Sequence, residues 1–299
     1  MGLLTWYEKP ASLAAATYDN AETIIPGAVY NAAADTYMVR TQGIPAKQLG
    51  DNLYLRVYAK LSDGSYVYSS VSLYSAKRYA ADILANSSNP DMKSLVVAML
   101  NYGAAAQVHF NHNTGSLMNA DLTAAQKALA KSYSSDMIST LVTPNAAKTV
   151  NFKPNGGFSD GYPSVSFDGA FSINYYLKPA KAVESEMVLY CWKLSTYNSD
   201  SALTEANATA KVTMAPASSP AEYFGNYTGI AAKQIDETVF VAGVYTSGGI
   251  RYSSPVLSYS LSAYCADQLA KGSATMQDFA KATVVYGDAA KTYFANLNG

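Results

Sequence analysis

Charge is what this sequence has least of. Only 14% of its 299 residues are Asp, Glu, Lys or Arg, and the net charge is −1. Without a basic field the chain lacks the electrostatic footprint that draws nucleic acid or an anionic membrane. A neutral partner suits this balance better than a polyanion. Histidine is also scarce. His109 and His112 lie together near the end of an expected helix, with no Cys or carboxylate at ligand spacing, so neither a metal site nor a cofactor is expected. No glycine-rich phosphate loop and no Gly-x-Ser-x-Gly elbow occurs. Nor does the sequence nominate the carboxylate pair that a glycosidase needs, and the expectation is therefore a protein that is not an enzyme. The two cysteines, Cys191 and Cys265, read as buried thiols in preference to a disulfide, which stays open. No apolar run is long enough to span a bilayer, and Met1-Gly2-Leu3 opens no signal peptide. An exported form would take its targeting segment from outside these residues.

Tyrosine is abundant instead, with 25 against 9 Phe and 2 Trp. An apolar ring carrying a hydroxyl works at wet, hydrogen-bonding surfaces, although strands and strand edges also favour it. The second conspicuous feature is a repeat. Gly43-Ile-Pro-Ala-Lys-Gln-Leu49 returns as Gly229-Ile-Ala-Ala-Lys-Gln-Ile235, 186 residues on (233 − 47). Trp6 and Trp192 share that offset (192 − 6). A fixed self-similarity of this kind governs the architecture.

Leu53 to Ala59 reads as a strong strand, joined through Ser62-Asp63-Gly64-Ser65 to Tyr66-Val67-Tyr68. Asp-Gly supplies the positive φ that a tight hairpin needs. Val239 to Tyr245, Ser247-Gly248-Gly249 and Ile250-Arg251-Tyr252 spell the same hairpin again. Short strands are expected at Val29-Tyr30 and from Tyr37 to Arg40. Ser75 caps a helix to about Leu84, and Asp91 begins a longer one through Phe110, with Leu95, Met99, Tyr102 and Ala106 at helical spacing. Tyr259-Ser260 and Met276 to Phe294 repeat the pair. Leu122 to Tyr133 is amphipathic, and a short helix is expected over Ser135 to Leu141. Strands at Thr149–Phe152, Pro163–Phe167 and Phe171–Leu177 precede Trp192, whereas only five residues precede Trp6. The first module is therefore expected to have fewer strands. The fold class is α+β, as two tandem repeats of antiparallel, sandwich-like strands followed by a helical hairpin. The expected domains are a first module over 1–113, a helical connector over 114–148 that docks the modules together, and a second module over 149–299.

The run Gly43-Ile-Pro-Ala-Lys-Gln, with Tyr68-Ser-Ser, Tyr74-Ser-Ala-Lys-Arg-Tyr79, Leu100-Asn-Tyr-Gly-Ala-Ala-Ala-Gln107 and Phe167-Asp-Gly-Ala-Phe-Ser-Ile-Asn-Tyr-Tyr176, resembles a module of secreted, multidomain surface proteins of gut Clostridia and Ruminococci. The likeness covers nearly the whole chain. It is similar to the non-catalytic, tandem-repeat domains of ruminococcal starch-adherence (amylosome) proteins. That resemblance implies an extracellular or cell-surface, non-catalytic protein that binds starch and maltooligosaccharides. Other cell-surface scaffold proteins are the secondary partners it implies.

Glycan recognition needs flat aromatic faces beside amide or hydroxyl groups. Trp6 and Trp192 are the leading candidates, as the only tryptophans and at equivalent positions. Tyr37 and Tyr223 also correspond, with Tyr197 and Tyr227 near the latter, and Lys47 is a candidate donor to sugar hydroxyls. Each has a structural alternative: a core plug for the tryptophans, strand packing for the tyrosines, and a turn support for Lys47. A different class of function remains open, a structural or protein-interaction module of a cell-surface scaffold whose aromatics are core.

Overall fold

The computed structural model describes residues 1–7, 9–41, 43–141, 154–196, 203–219 and 221–297. The chain divides into two units, Met1–Ala130 and Lys131–Gly299.

In the first unit the strands are β1 (Gly2–Trp6), β2 (Thr23–Pro26), β3 (Val29–Asn31), β4 (Thr36–Met38), β5 (Leu53–Lys60), β6 (Tyr66–Tyr68) and β7 (Ser72–Tyr74). An antiparallel sheet runs β2-β1-β5-β6, with β7 also on β5, and β3-β4 forms a separate ribbon. Alternation along β5 divides its side chains between the two faces of the sheet. Tyr58 joins Leu4, Trp6 and Ala16 in a core, while Leu53, Leu55 and Val57 take the opposite face. Arg56 lies over the Tyr68 ring at 4.7 Å and donates to the carbonyls of Leu13, Ala16 and Ser69, which ties the covering loop to the sheet. In the β5–β6 turn the Asp63 carboxylate accepts from the Ser65 N–H, and Gly64 has φ +88°.

Helices α1 (Ala76–Asn86) and α2 (Pro90–His109) follow, capped by Ser75 and Asn89. Their core comprises Ala76, Ala80, Val96, Leu100, Ala104 and Met118. Gly103 admits Met118, whose sulfur would stand 2.2 Å from an added Cβ. The amphipathic stretch expected to be helical from Leu122 to Tyr133 forms only α3 (Ala124–Lys127). Leu122 packs on the core but Leu129 is exposed, so the later turns have no buried face to hold them.

The second unit holds α4 (Ser135–Leu141), β8 (Phe158–Ser166), β9 (Phe171–Pro179), β10 (Val188–Lys193), β11 (Ala210–Thr213), β12 (Ala215–Pro216), β13 (Tyr223–Ile230), β14 (Val239–Ser247), β15 (Ile250–Ser253), β16 (Leu257–Tyr259), α5 (Leu261–Lys271) and α6 (Ala274–Leu297). The strand expected at 149–152 lies outside the described residues. One sheet runs β11-β10-β14-β15, with β16 on β14; the other runs β12-β13-β9-β8. The first has the strand order of the β1–β5 sheet, and its central pair keeps the same register, Leu3 facing Val57 as Leu189 faces Gly243, while the flanking strands are each shifted by one residue.

Between the two sheets, Ile173, Tyr175 and Leu177 of β9 are buried with Leu189, Cys191, Val239 and Val241. The Tyr175 hydroxyl crosses to donate to the Val239 carbonyl at 3.1 Å. Gly243 is glycine because Leu177 fills the space, 2.1 Å from where a Cβ would sit. Phe167 packs on Phe279 and Tyr264, which docks the helical hairpin at the end of this sheet. Both cysteines are buried and unpaired, and burial pushes each thiol up to about 12. Overall the class is α+β, with antiparallel sheets followed by helices.

Candidate functional site

The two tryptophans are in the core. Trp6 is 5% exposed and Trp192 is 0% exposed. Each indole N–H is held by the loop that covers it: Trp6 donates to the Asn20 carbonyl at 2.8 Å, and Trp192 to the Thr204 carbonyl at 2.9 Å and the Asn207 side chain at 3.1 Å. Neither presents a flat face to a ligand, because their phase on β1 and β10 turns them onto the loop-covered side of the sheet. Lys47 is a turn support: its ammonium stands 5.5 Å from the Phe110 ring centre, and Lys233 stands 4.5 Å from that of Phe294. The Gly-Ile-x-Ala-Lys-Gln stretch thus fastens a 3-10 turn to the last turn of each unit's long helix.

Tyr227 is buried, and burial pushes its hydroxyl up to about 12. Tyr223 lies opposite Leu177 and so shares the core-facing side of its sheet. Tyr197 lies outside the described residues. Among the described residues, Tyr37 alone of the nominated aromatics is exposed, at 57%. It faces Tyr30 across the β3–β4 ribbon with ring centres 5.1 Å apart and an interplanar angle of 46°. The Tyr30 hydroxyl donates to Asp35 at 2.8 Å, a bond that raises the phenol's pKa.

The broader aromatic surface is one the sequence reading passed over. On the outer face of the β12-β13-β9-β8 sheet, Tyr162, Tyr176 and Phe224 stand in a row across three strands. Tyr162 stacks on Tyr176 at 5.0 Å and 14°, and Tyr176 meets Phe224 at 5.4 Å and 43°. At the usual strand spacing this row spans about 10 Å. Glu222 accepts from the Tyr162 hydroxyl at 3.3 Å. Loss of hydration, then the Glu222 charge, raises the Tyr162 pKa and keeps its hydroxyl a donor.

Two residues along each strand, about 7 Å from the aromatics, comes a polar row. Ser164, Asn174 and Asn226 are aligned across the same three strands. The Asn226 amide donates to Ser172 at 3.1 Å and to Asn174. Each amide carries two donors and a two-lone-pair acceptor, so the row retains capacity for further partners. The surface therefore offers parallel strips: flat rings, then hydroxyls and amides held in place by one another. A signal for it exists in Phe171-Ser-Ile-Asn-Tyr-Tyr-Leu, where one phase is uniformly apolar and the other reads Ser, Asn, Tyr.

No family model matches this chain, and no curated protein does. Among solved structures, the crystal structure of a Br derivative of BhCBM56 aligns at a TM-score of 0.24 and 8% identity, over 36% of this chain and 96% of that one. A likeness at that score carries no argument about fold or function.

Proposed function

We propose that this chain is a non-catalytic carbohydrate-binding protein whose principal site is the Tyr162–Tyr176–Phe224 row with its Ser164, Asn174 and Asn226 flank. The observation that carries this reading is the pairing of an aromatic row with a polar row in fixed register on one sheet face. Sugar rings are apolar on their faces and polar at their rims, and such strips meet both. A near-neutral chain suits a neutral glycan. The Tyr30–Tyr37 pair is a second, smaller contact. If both engage one polymer, linkage raises the avidity without any new contact.

The glycan proposed is an α-glucan, starch or maltooligosaccharide, and the setting is extracellular or on a cell surface, as the likeness to modules of starch-adherence proteins of gut bacteria implies. The shared strand order, with the register of the central pair at the 186-residue offset (243 − 57), supports reading the chain as two tandem copies of one module. Affinity electrophoresis through amylopectin, with calorimetry on maltooligosaccharides, tests the reading. Retardation and saturable heat are expected, and starch incubated with the protein should release no new reducing ends. Absence of both retardation and heat would sink it. Burial of both tryptophans also supports a second reading, a structural or interaction module of a bacterial surface scaffold. That reading predicts no glycan retention and tight association with other scaffold domains.

A further inference from the structure

The two units fasten the same covering turn to the same edge strand by different chemistry. In each, the indole N–H of the tryptophan is held by a 3-10 turn, Tyr18–Asn20 in the first unit and Glu205–Asn207 in the second. Matching hydrogen bonds align the turns: the Thr17 N–H donates to the Asn20 side chain at 2.8 Å, as the Thr204 N–H does to that of Asn207 at 2.8 Å. Strand pairing aligns the rest. Tyr66 faces Lys60 as Arg251 faces Thr246, and Tyr68 faces Tyr58 as Ser253 faces Val244. In the second unit Arg251 and Glu205 join edge strand and turn as an ion pair. In the first unit rings take that place. Tyr18 stacks on Tyr66 at 4.6 Å and 17°, and Tyr66 on Tyr68 at 6.3 Å and 24°. The buried Tyr58 meets Tyr18 and Tyr66 edge-on, at 5.1 and 5.9 Å. Four tyrosines therefore stand where the second unit has Glu205, Arg251, Ser253 and Val244, none of them aromatic. The fold closes this place without a ring, so packing alone does not call for a row of them. The place is also an open one: in the second unit the side chains of Arg251 and Glu205 are 52% and 37% exposed. Tyr18, Tyr66 and Tyr68 are each half-buried.

We infer that the Tyr18–Tyr66–Tyr68 row is a second glycan-binding site, one that belongs to the first unit. Its ring spacings are of the same order as those of the Tyr162–Tyr176–Phe224 row. Phenol rings with free edges offer apolar surface and hydroxyls together, which a sugar's faces and rim both use. One charge of each sign flanks the row. The Lys60 ammonium stands 5.8 Å from the centre of the Tyr66 ring, and the Asp19 carboxylate is close enough to act on the Tyr66 hydroxyl. The two offset each other, so the row suits a neutral, polyhydroxylated ligand better than an acidic one. Arg56 lies over Tyr68 but spends its donors on three carbonyls, and so anchors the row. Loss of hydration, then the neighbouring Tyr18, raises the Tyr66 pKa, which keeps that hydroxyl a donor. The ligand class rests on the glycan reading of the outer face; the row itself is read from the difference between the units. The two sites then occupy non-equivalent places in the two units, and the chain is bivalent.

The test exchanges the first unit's chemistry for the second's. Tyr18→Glu with Tyr66→Arg installs the ion pair that already closes this place in the second unit, and thermal melting checks the fold. Calorimetry with maltoheptaose should count two sites on the wild-type chain, one on Tyr176→Ala and one on the Tyr18→Glu, Tyr66→Arg variant. Nitration of the wild-type chain by tetranitromethane, read peptide by peptide, carries the test if that variant does not fold. At ten times its Kd, maltoheptaose should slow nitration of Tyr18 and Tyr66 about tenfold. A folded variant that keeps the wild-type count would overturn the inference. So would unchanged nitration of Tyr18 and Tyr66, whether Tyr162 or the Tyr30–Tyr37 pair is protected in their place; protection of Tyr162 would then leave the outer-face site standing. Protection of Tyr18 and Tyr66 without Tyr162 would uphold the inference and overturn the outer-face site. Neither heat nor protection anywhere would overturn both.

Discussion

Replacing Tyr176 with alanine separates the proposed site from the core one residue away. Tyr176 is the middle ring of its row, so the substitution removes the contacts to Tyr162 at 5.0 Å and Phe224 at 5.4 Å together. Aromatic contacts of this kind are worth about 0.5–1.5 kcal/mol each beyond area burial. For a half-buried ring the expected destabilisation is therefore about 1–3 kcal/mol, which leaves the unit folded. Loss of a central aromatic contact costs a ligand about 2 kcal/mol, or roughly thirtyfold in affinity. Affinity electrophoresis over a range of amylopectin concentrations reads that change directly, with thermal melting as the check on folding. The control is Tyr175→Phe. Tyr175 points the other way, fully buried, and donates to the Val239 carbonyl at 3.1 Å. Losing that bond costs about 1 kcal/mol and lowers the melting temperature by about 2–4 °C. Retention in amylopectin should not change. Wild-type retardation by folded Tyr176→Ala, or equal loss in Tyr175→Phe, would refute the assignment of the outer face.

Both tryptophans should resist iodide quenching in the native chain and become quenchable on unfolding; quenching of either in the native state contradicts its burial. Trp192→Phe leaves the Thr204 and Asn207 groups without the indole donor and should cost about 1–3 kcal/mol in denaturant titration, with no effect on glycan retention. Lys47→Ala and Lys233→Ala should each lower stability by about 0.5–1 kcal/mol through the lost contacts with Phe110 and Phe294, again without changing retention. In alkali the second unit should lose stability. Cys191 and Cys265 move from 9.0 to about 12 in the folded chain, and Tyr227 and Tyr259 from 10.0 to about 12, all chiefly through burial. Folded values above unfolded ones mean that stability is intact below about pH 9 and falls as pH rises from there towards 12. Denaturant midpoints across that window check the sign; a rise would contradict it.

Much of the local structure was readable along the chain. Asp63-Gly64 demanded its turn, Ser75 and Ser260 their caps, and the 186-residue offset led to two sheets that agree in strand order and in the register of their central pair. These features depend on neighbours in sequence or on an alternation that any strand imposes. The candidate site was less legible. Rarity and equivalence drew attention to Trp6 and Trp192, but equivalence marks a position in a module and says nothing of exposure. A plug needed in the same place twice is as well matched as a binding face.

In the strand from Phe171 to Leu177, alternation separated an apolar phase (Phe, Ile, Tyr, Leu) from a polar one (Ser, Asn, Tyr), but it could not say which residues of other strands would line up beside Tyr176. The pairing of strands and the packing of two sheets decided that. Tyr175 went inward because β14 offers a carbonyl at Val239 and Gly243 makes room beside it for Leu177. Tyr176 was then left on the outer face, beside Tyr162 and Phe224. The sequence by itself determined the strands, turns, caps and their spacing, since those are set by backbone preference and periodicity. Which face meets solvent arises from residues far apart in the chain. Only the tertiary structure brought those together.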